Sequence, residues 1–287
     1  MTGNADLKSA VVIGAGTMGA GIAYVAATAG YTVDLVEPDG TRRAAVGPQL
    51  RTVFDKAVAR GKATAQDADA AHARIAYRAS LTEVAEGADV IVEAVPERPE
   101  LKRAVLAEAA ARKPRLLASN TSSIPIASLA EGLPRPEAFL GLHFFNPVYA
   151  MPLLEIVIGR ETSEDAREQA LALARELGKD PIVVNDFPGF ATSRLGVALG
   201  LEAIRMLEDG VASAADIDKA MVLGYRHPMG PLELTDIVGL DVRLDIARTL
   251  QKAYGDRFAP PELLVSKVAE GKLGKKTGEG FHVWEGR

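Results

Sequence analysis

Ser9-Ala10-Val11-Val12-Ile13 runs straight into Gly14-Ala15-Gly16-Thr17-Met18-Gly19, and the reading of this stretch decides the fold. The apolar run has the length and composition of a buried strand. A helix is predicted after it, because Ala20, Gly21, Ala23, Ala26 and Ala27 keep its surface small enough to lie close on a sheet, and Gly30 supplies a stop. A second strand over residues 32–36 ends at Glu37. Each part suits a dinucleotide. Gly14 makes the tight turn, Gly16 lets backbone approach a pyrophosphate, and Gly19 permits close packing of the helix, whose N-terminal N–H groups face the anion. Glycine turns between strand and helix also occur without a ligand, but here strand, helix, second strand and terminal acid stand in register. Glu37 would accept hydrogen bonds from a ribose and repel a 2′-phosphate, which favours NAD over NADP. Arg42 and Arg43 weaken that inference: they either meet a phosphate or are solvated residues of the next helix.

The chain around this unit has 287 residues, enough for one large or two ordinary domains. With 48% hydrophobic and 25% charged residues, neither global disorder nor a coiled-coil rod is indicated. A formal charge of -5 argues against binding nucleic acid through the overall field and turns attention to small molecules. The absence of cysteine removes disulfides, thiolate metal sites and nucleophilic thiols together, and no metal site is expected. Residues 1–8 are polar and leave no room for an apolar signal segment, and no apolar run reaches membrane-spanning length. A soluble cytoplasmic protein is therefore expected.

An alanine-rich helical insert over residues 41–71, broken near Gly61-Lys62, precedes predicted strands at 74–77 and 88–92. Pro96-Glu97-Arg98-Pro99 then starts a predicted helix to about residue 112, leaving Glu97 as either an N-terminal helix charge or a cofactor contact. The next strand, 115–118, delivers Ser119-Asn120-Thr121-Ser122-Ser123. Such small polar groups at a strand end suit a ligand crevice and, equally, a turn capping a short helix at 125–130.

The apolar run from Phe139 to Leu142 ends in His143, and Pro147 prevents the strand from continuing. In an open α/β sheet the carboxyl ends of strands face the ligand crevice, and a histidine there exchanges a proton near neutral pH. Glu155 lies inside the following strand, 153–158, where a carboxylate is costly unless paired. Pairing with His143 would fix the imidazole tautomer and stabilise the imidazolium formed when the ring takes a proton. Either residue alone has a structural explanation. With a nucleotide fingerprint in the same domain, His143 is expected to be the catalytic base of a dehydrogenase and Glu155 its partner. His72, His227 and His282 adjoin no comparable pattern.

Six motifs in order, GAGTMG at Gly14 to Gly19, SNTSS at Ser119 to Ser123, GLHFFNP at Gly141 to Pro147, PGF at Pro188 to Phe190, PMGP at Pro228 to Pro231 and KTGEGF at Lys276 to Phe281, make the chain resemble the L-3-hydroxyacyl-CoA dehydrogenases. In size it is similar to their short 3-hydroxybutyryl-CoA branch. The resemblance implies that His143 removes the proton from the substrate 3-hydroxyl while hydride leaves C3 for NAD, with Glu155 supporting the histidine. It implies that Ser122 bonds substrate and cofactor, that Glu97, Lys102, Asn146 and Lys276 stand near NAD, and that the protein is a homodimer acting on an acyl-CoA. One departure concerns the substrate. The family places asparagine three residues after PGF, and this chain has Ser193, with shorter reach and one donor where the amide has two.

A helix over 164–177 and a strand over 181–184 close the first half, and Asp186-Phe187-Pro188-Gly189 marks the boundary between a Rossmann-type domain, 1–187, and an all-α C-terminal domain, 188–287. Helices are predicted over 190–208, with Gly196 and Gly200 on one face for close approach of a second helix, then from the N-cap Ser213, from Pro231, over 240–254 and over 261–270. The apolar content of this unit suits a subunit contact. Residues 271–280 read as a flexible basic loop. The expected activity is NAD-dependent oxidation of a short L-3-hydroxyacyl-CoA. Its rivals are a dehydrogenase of a CoA-free hydroxy acid, of gulonate or carnitine type, and a nucleotide-binding protein without catalysis.

Overall fold

The computed structural model describes residues 8–284; the polar stretch preceding Lys8 lies outside them. The chain divides between Asp186 and Phe187 into two compact units. The first contains β1 (Ser9–Ile13), α1 (Thr17–Thr28), β2 (Thr32–Val36), α2 (Gly40–Ala59), α3 (Ala65–Ala73), β3 (Ile75–Arg78), β4 (Val90–Glu93), α4 (Pro99–Ala110), β5 (Leu116–Ser119), α5 (Ile126–Ala130), β6 (Phe139–Phe144), β7 (Leu153–Ile158), α6 (Glu164–Glu176) and β8 (Asp180–Asn185). Its eight strands form one sheet in the order β3-β2-β1-β4-β5-β6-β7-β8. From β3 to β6 every pairing is parallel, β7 runs antiparallel to β6, and β8 runs parallel to β7.

Parallel strands covered on both faces must be apolar throughout, and Val12, Leu35, Ile91, Leu117 and Leu140 are buried at the centre of the sheet. Burying each such side chain contributes roughly 1.5–3 kcal/mol. The chain winds outward one way from β1 through β2 and β3, and the other way from β4 onward. The strand ends flanking this reversal form the crevice where α/β sheets bind ligands. The helical insert appears as α2 and α3, capped by Asp39 accepting from Arg42 N at 2.8 Å and Thr64 accepting from Asp67 N at 3.1 Å.

Helix α4 begins later than its proline pattern suggests. Arg98 precedes Pro99 and is held extended at φ −123, so Glu97 lies in the loop before the helix and is not a first-turn charge. Strand β4 likewise runs one residue past the predicted end and takes in Glu93.

The second unit comprises α7 (Thr192–Glu208), α8 (Ala214–Tyr225), α9 (Pro231–Val238), α10 (Leu240–Tyr254) and α11 (Glu262–Ala269). Val197, Leu201, Ile204, Leu232, Leu244, Leu250 and Leu264 build its core. Ser213 caps α8 by accepting from Asp216 N. Gly196 and Gly200 are approached by Arg243 of α10 and Thr235 of α9, so the small face of α7 does admit its neighbours.

Residues 271–280 are not a free loop. A short helical turn at Lys275–Thr277 is fixed by Lys276 Nζ, which donates to both carboxylate oxygens of Asp241 at 2.6 Å. Beyond it, the fully buried Asp236 accepts from Phe281 N, His282 N and Trp284 Nε1. Asp218 accepts from Leu232 N and Glu233 N at the start of α9 and pairs with His282 Nε2 at 2.7 Å. The buried carboxylates supply the anchors that a count of lysines and glycines does not reveal. Among the described residues no helix is long and apolar enough to cross a membrane.

Candidate active site

The glycine turn is dictated by sterics. Gly14 has φ +100, and a Cβ there would lie 2.8 Å from the Ala94 carbonyl oxygen. A Cβ on Gly19 would lie 1.7 Å from the Gly14 carbonyl oxygen, so α1 reaches this close only without a side chain. At Gly16 a Cβ would meet nothing within 4 Å, leaving the backbone face open toward the crevice. Beside it is a cavity of about 670 Å³ lined by Gly14, Gly16, Thr17, Glu37, Arg42 and Val95, among others. A bare backbone, a helix N-terminus and an acid at the end of β2, opening on one cavity, fit a dinucleotide.

Glu37 is buried, accepting from Ala15 N at 3.1 Å and Asp39 N at 3.0 Å. The two arginines separate. Arg43 folds back to donate to the carbonyls of Glu37 and Pro38, whereas Arg42 lines the cavity. Asn146, exposed in the turn after β6, lines a second cavity of about 320 Å³ with Gly21, Tyr24 and Tyr149; Thr17 lines both cavities.

A chain of charged groups links the ends of β4 and β5. Glu93 is fully buried and accepts from Val95 N at 2.7 Å, Ser119 Oγ at 2.6 Å and Lys102 Nζ at 2.8 Å. Lys102, itself 1% exposed, also reaches Glu97 at 3.2 Å. Glu97 Oε1 then gathers Thr121 Oγ1, Ser122 N, Ser122 Oγ, Ser123 N and Ser123 Oγ. Burial works to raise the Glu97 pKa, but Lys102 and the hydrogen bonds from Thr121 and Ser122 prevail, and it falls below the ordinary range. The serine loop is thus a turn organised by a carboxylate, with Ser122 half-buried at its surface. Asn120 does structural work, accepting from Phe144 N at 2.9 Å and tying the loop to β6. Glu93 was missed in the sequence although it carries the signal that picks out Glu155, an acid in an apolar strand.

His143 sits on β6 directly opposite Glu155 on β7 in the antiparallel register. The ring is 6% exposed, the carboxylate fully buried, and Nδ1 lies 2.7 Å from Glu155 Oε2. Donation of Nδ1–H to the carboxylate sets the tautomer in which Nε2 carries the lone pair. Phe145 packs against the imidazole with its ring tilted by 49° at a centroid distance of 4.4 Å. Because β1 and β4 to β6 are parallel, their carboxyl ends share one edge; β6 lies three strands from β1, roughly 14 Å at strand spacing. The base and the dinucleotide cradle therefore occupy the same edge of one sheet. In the helical unit, Ser193 is half-buried in the first turn of α7, and Lys276 is paired with Asp241.

A parallel sheet with a glycine-rich cradle and a buried His–Glu pair on one edge defines an NAD-dependent oxidoreductase. Residues 9–187 match the NAD binding domain of 3-hydroxyacyl-CoA dehydrogenase, and residues 189–284 match the C-terminal domain of the same family. The chain belongs to the 3-hydroxyacyl-CoA dehydrogenase family. It is 39% identical over 283 residues to a probable 3-hydroxybutyryl-CoA dehydrogenase of Bacillus subtilis, covering 98% of each chain. It is 40% identical over 278 residues to 3-hydroxybutyryl-CoA dehydrogenase of Mycobacterium tuberculosis, covering 95% of this chain and 97% of the relative. Among solved structures, (S)-3-hydroxybutyryl-CoA dehydrogenase PaaH1 from Ralstonia eutropha superposes with a TM-score of 0.92 at 36% identity, covering 98% of this chain and 100% of that one.

Proposed function

We propose that the protein catalyses reversible NAD-dependent oxidation of a short-chain L-3-hydroxyacyl-CoA, such as 3-hydroxybutyryl-CoA, to the 3-oxoacyl-CoA. The observation that carries this reading is the His143–Glu155 pair on the sheet edge that also bears the dinucleotide cradle. His143 Nε2 takes the proton of the substrate 3-hydroxyl, and Glu155 stabilises the resulting imidazolium. In reduction the same nitrogen returns the proton. NAD, when bound, supplies the hydride acceptor.

Gly14, Gly16 and Gly19 hold the pyrophosphate and Glu37 the adenosine ribose, which favours NAD(H) over NADP(H). Ser122 bonds substrate and cofactor from the turn that Glu97 organises. Lys102, enclosed between Glu93 and Glu97, acts through Glu97 as a positioning residue. Asn146 and Lys276 complete the cofactor contacts, and Ser193 meets the substrate. Residues 1–187 thus form the cofactor domain, and 188–287 the substrate and dimerisation domain. A homodimer through the helical domain is supported by the exposed apolar side chains Leu195, Val211, Leu223 and Tyr225. A cytoplasmic location is in keeping with a thioester substrate and a diffusible cofactor.

Steady-state reduction of acetoacetyl-CoA by NADH tests the reading. Turnover by the native chain and its loss in His143→Ala are expected. Equal rates for the two proteins would overturn the catalytic role, and turnover of free hydroxy acids alone would overturn the thioester.

A further inference from the structure

Lys179, between α6 and β8, is 9% exposed. No carboxylate pairs with it among the described residues, and burial lowers its pKa from the ordinary lysine value. Its Nζ donates instead to two main-chain carbonyls, those of Val148 and, at 2.8 Å, Met151. An enclosed ammonium is costly, and converging carbonyls are what its three donors can satisfy.

The stem that carries this ammonium is fixed from both sides. Gly178 takes φ +67 at the end of α6, and Lys179 N donates to Ala174 O at 2.8 Å, which closes the helix with a glycine stop. Asp180 N then donates to Pro152 O at 2.8 Å, where β8 begins its pairing with β7. Lys179 is therefore a rigid post against the turn that joins β6 to β7.

That turn stands between the base and the cofactor helix. At its start Phe145 packs on the His143 ring. Asn146, Val148 and Tyr149 form one wall of the 320 Å³ cavity, and Thr17, Gly21 and Tyr24 of α1 form the other. The walls meet closely: a Cβ on Gly21 would lie 2.7 Å from Val148 Cγ2. Inside the turn, Ala150 N and Met151 N both donate to Pro147 O, and the carbonyls left over at Val148 and Met151 are the ones that Lys179 takes. A displacement of the turn would alter the packing on the imidazole and the wall carrying Asn146 together.

We propose that Lys179 is a positioning residue for the dehydrogenase reaction: by holding the Val148 and Met151 carbonyls it sets Phe145 against His143 and Asn146 toward the cofactor. The inference rests on the readings of His143 as the base and Asn146 as a cofactor contact.

Lys179→Met keeps the unbranched stem and removes the ammonium. In NADH reduction of acetoacetyl-CoA its kcat should fall by about tenfold to a hundredfold, the scale of a misplacement of about 1 Å. KM for NADH should rise by about tenfold, with the same weakening of NADH binding in calorimetry. A purely structural role moves neither affinity, because partial unfolding lowers apparent kcat with KM unchanged. Lys179→Gln, with an NH2 donor on a shorter stem, should lie between the native chain and Lys179→Met, and supplies the same comparison should Lys179→Met fail to fold. In an Asn146→Ala background the effect of Lys179→Met on NADH affinity should shrink to about threefold or less. NADH affinity within about twofold of native in both Lys179 variants, whatever their melting temperatures, overturns the proposal. So does a weakening by Lys179→Met that persists in full when Asn146 is alanine. Absence of turnover in the native chain would defeat the dehydrogenase reading instead, and the calorimetric comparison would still decide the role of Lys179.

Discussion

Replacing Glu155 by glutamine isolates the electrostatic part of the His143 pair, because the side chain keeps its shape while losing its charge. With Nδ1 and Oε2 2.7 Å apart and both groups buried, the carboxylate acts on the imidazolium with little screening by water. Opposite unit charges about 4 Å apart at an effective dielectric constant near 20 attract by about 4 kcal/mol. A glutamine carbonyl still accepts a neutral hydrogen bond worth about 1 kcal/mol. The difference, about 3 kcal/mol, corresponds to a fall in kcat of about two orders of magnitude for 3-hydroxybutyryl-CoA oxidation. If the amide instead turns its NH2 toward Nδ1, the other tautomer is imposed, and losses can approach the ~10⁴-fold seen in a comparable triad. The assay is initial-rate formation of NADH at saturating substrate, with NADH affinity measured in parallel as a control for the cradle. A fall of less than about fivefold, roughly 1 kcal/mol, would refute the assignment of Glu155 as the group that stabilises the imidazolium.

Other perturbations reach other parts of the first unit. Gly16→Ala should leave the melting temperature in place, since its Cβ meets nothing within 4 Å, yet weaken NADH binding by about tenfold through the lost approach to the pyrophosphate; calorimetry showing native affinity would count against the cradle. Lys102→Met leaves the buried Glu93 carboxylate without its cation and should cost about 3–5 kcal/mol, much of it recovered on adding Glu93→Gln. Denaturation of the single and double variants at the same denaturant concentration would show this coupling to be wrong. Because the folded-state pKa of Glu97 is lowered, its stabilisation is complete above the ordinary glutamate value of about 4.3 and is lost as pH falls through the lower folded value. Melting temperatures followed into acid should therefore drop more steeply for the native chain than for Glu97→Gln, and parallel curves would speak against it.

The parts of the site that the sequence displays are those where residue type conflicts with its surroundings or where only one residue type fits. Gly14 and Gly19 belong to the second kind, since their spacing answers to the approach of α1. His143 and Glu155 belong to the first, polar groups in apolar strands, and their pairing follows from mutual need even without knowledge of the strand direction. Glu93 satisfies the same criterion and was lost only because the predicted strand stopped at Val92. Glu97 could not be placed, because its partners lie 24–26 residues away in the serine turn, and local helix propensity gives no hint of a loop gathering five donors. Lys179 is silent in sequence: a lysine just past a helix stop normally reaches solvent, and only packing shows that this one does not.

The antiparallel join between β6 and β7 also bears on how such a site is inherited. In the parallel part of the sheet, bringing two chosen side chains face to face requires a helical crossover of the right length. His143 and Glu155 need only the turn between two adjoining strands, and they stand twelve residues apart. The pair behaves as a cassette. The acid–base register depends on the two strands alone, so the turn between them is held by other demands: Phe145 against the imidazole, Val148 in the core, and the carbonyls of Val148 and Met151 that accept from Lys179 Nζ. An insertion of one residue within either strand turns one partner to the other face of the sheet and ends the pair in a single step.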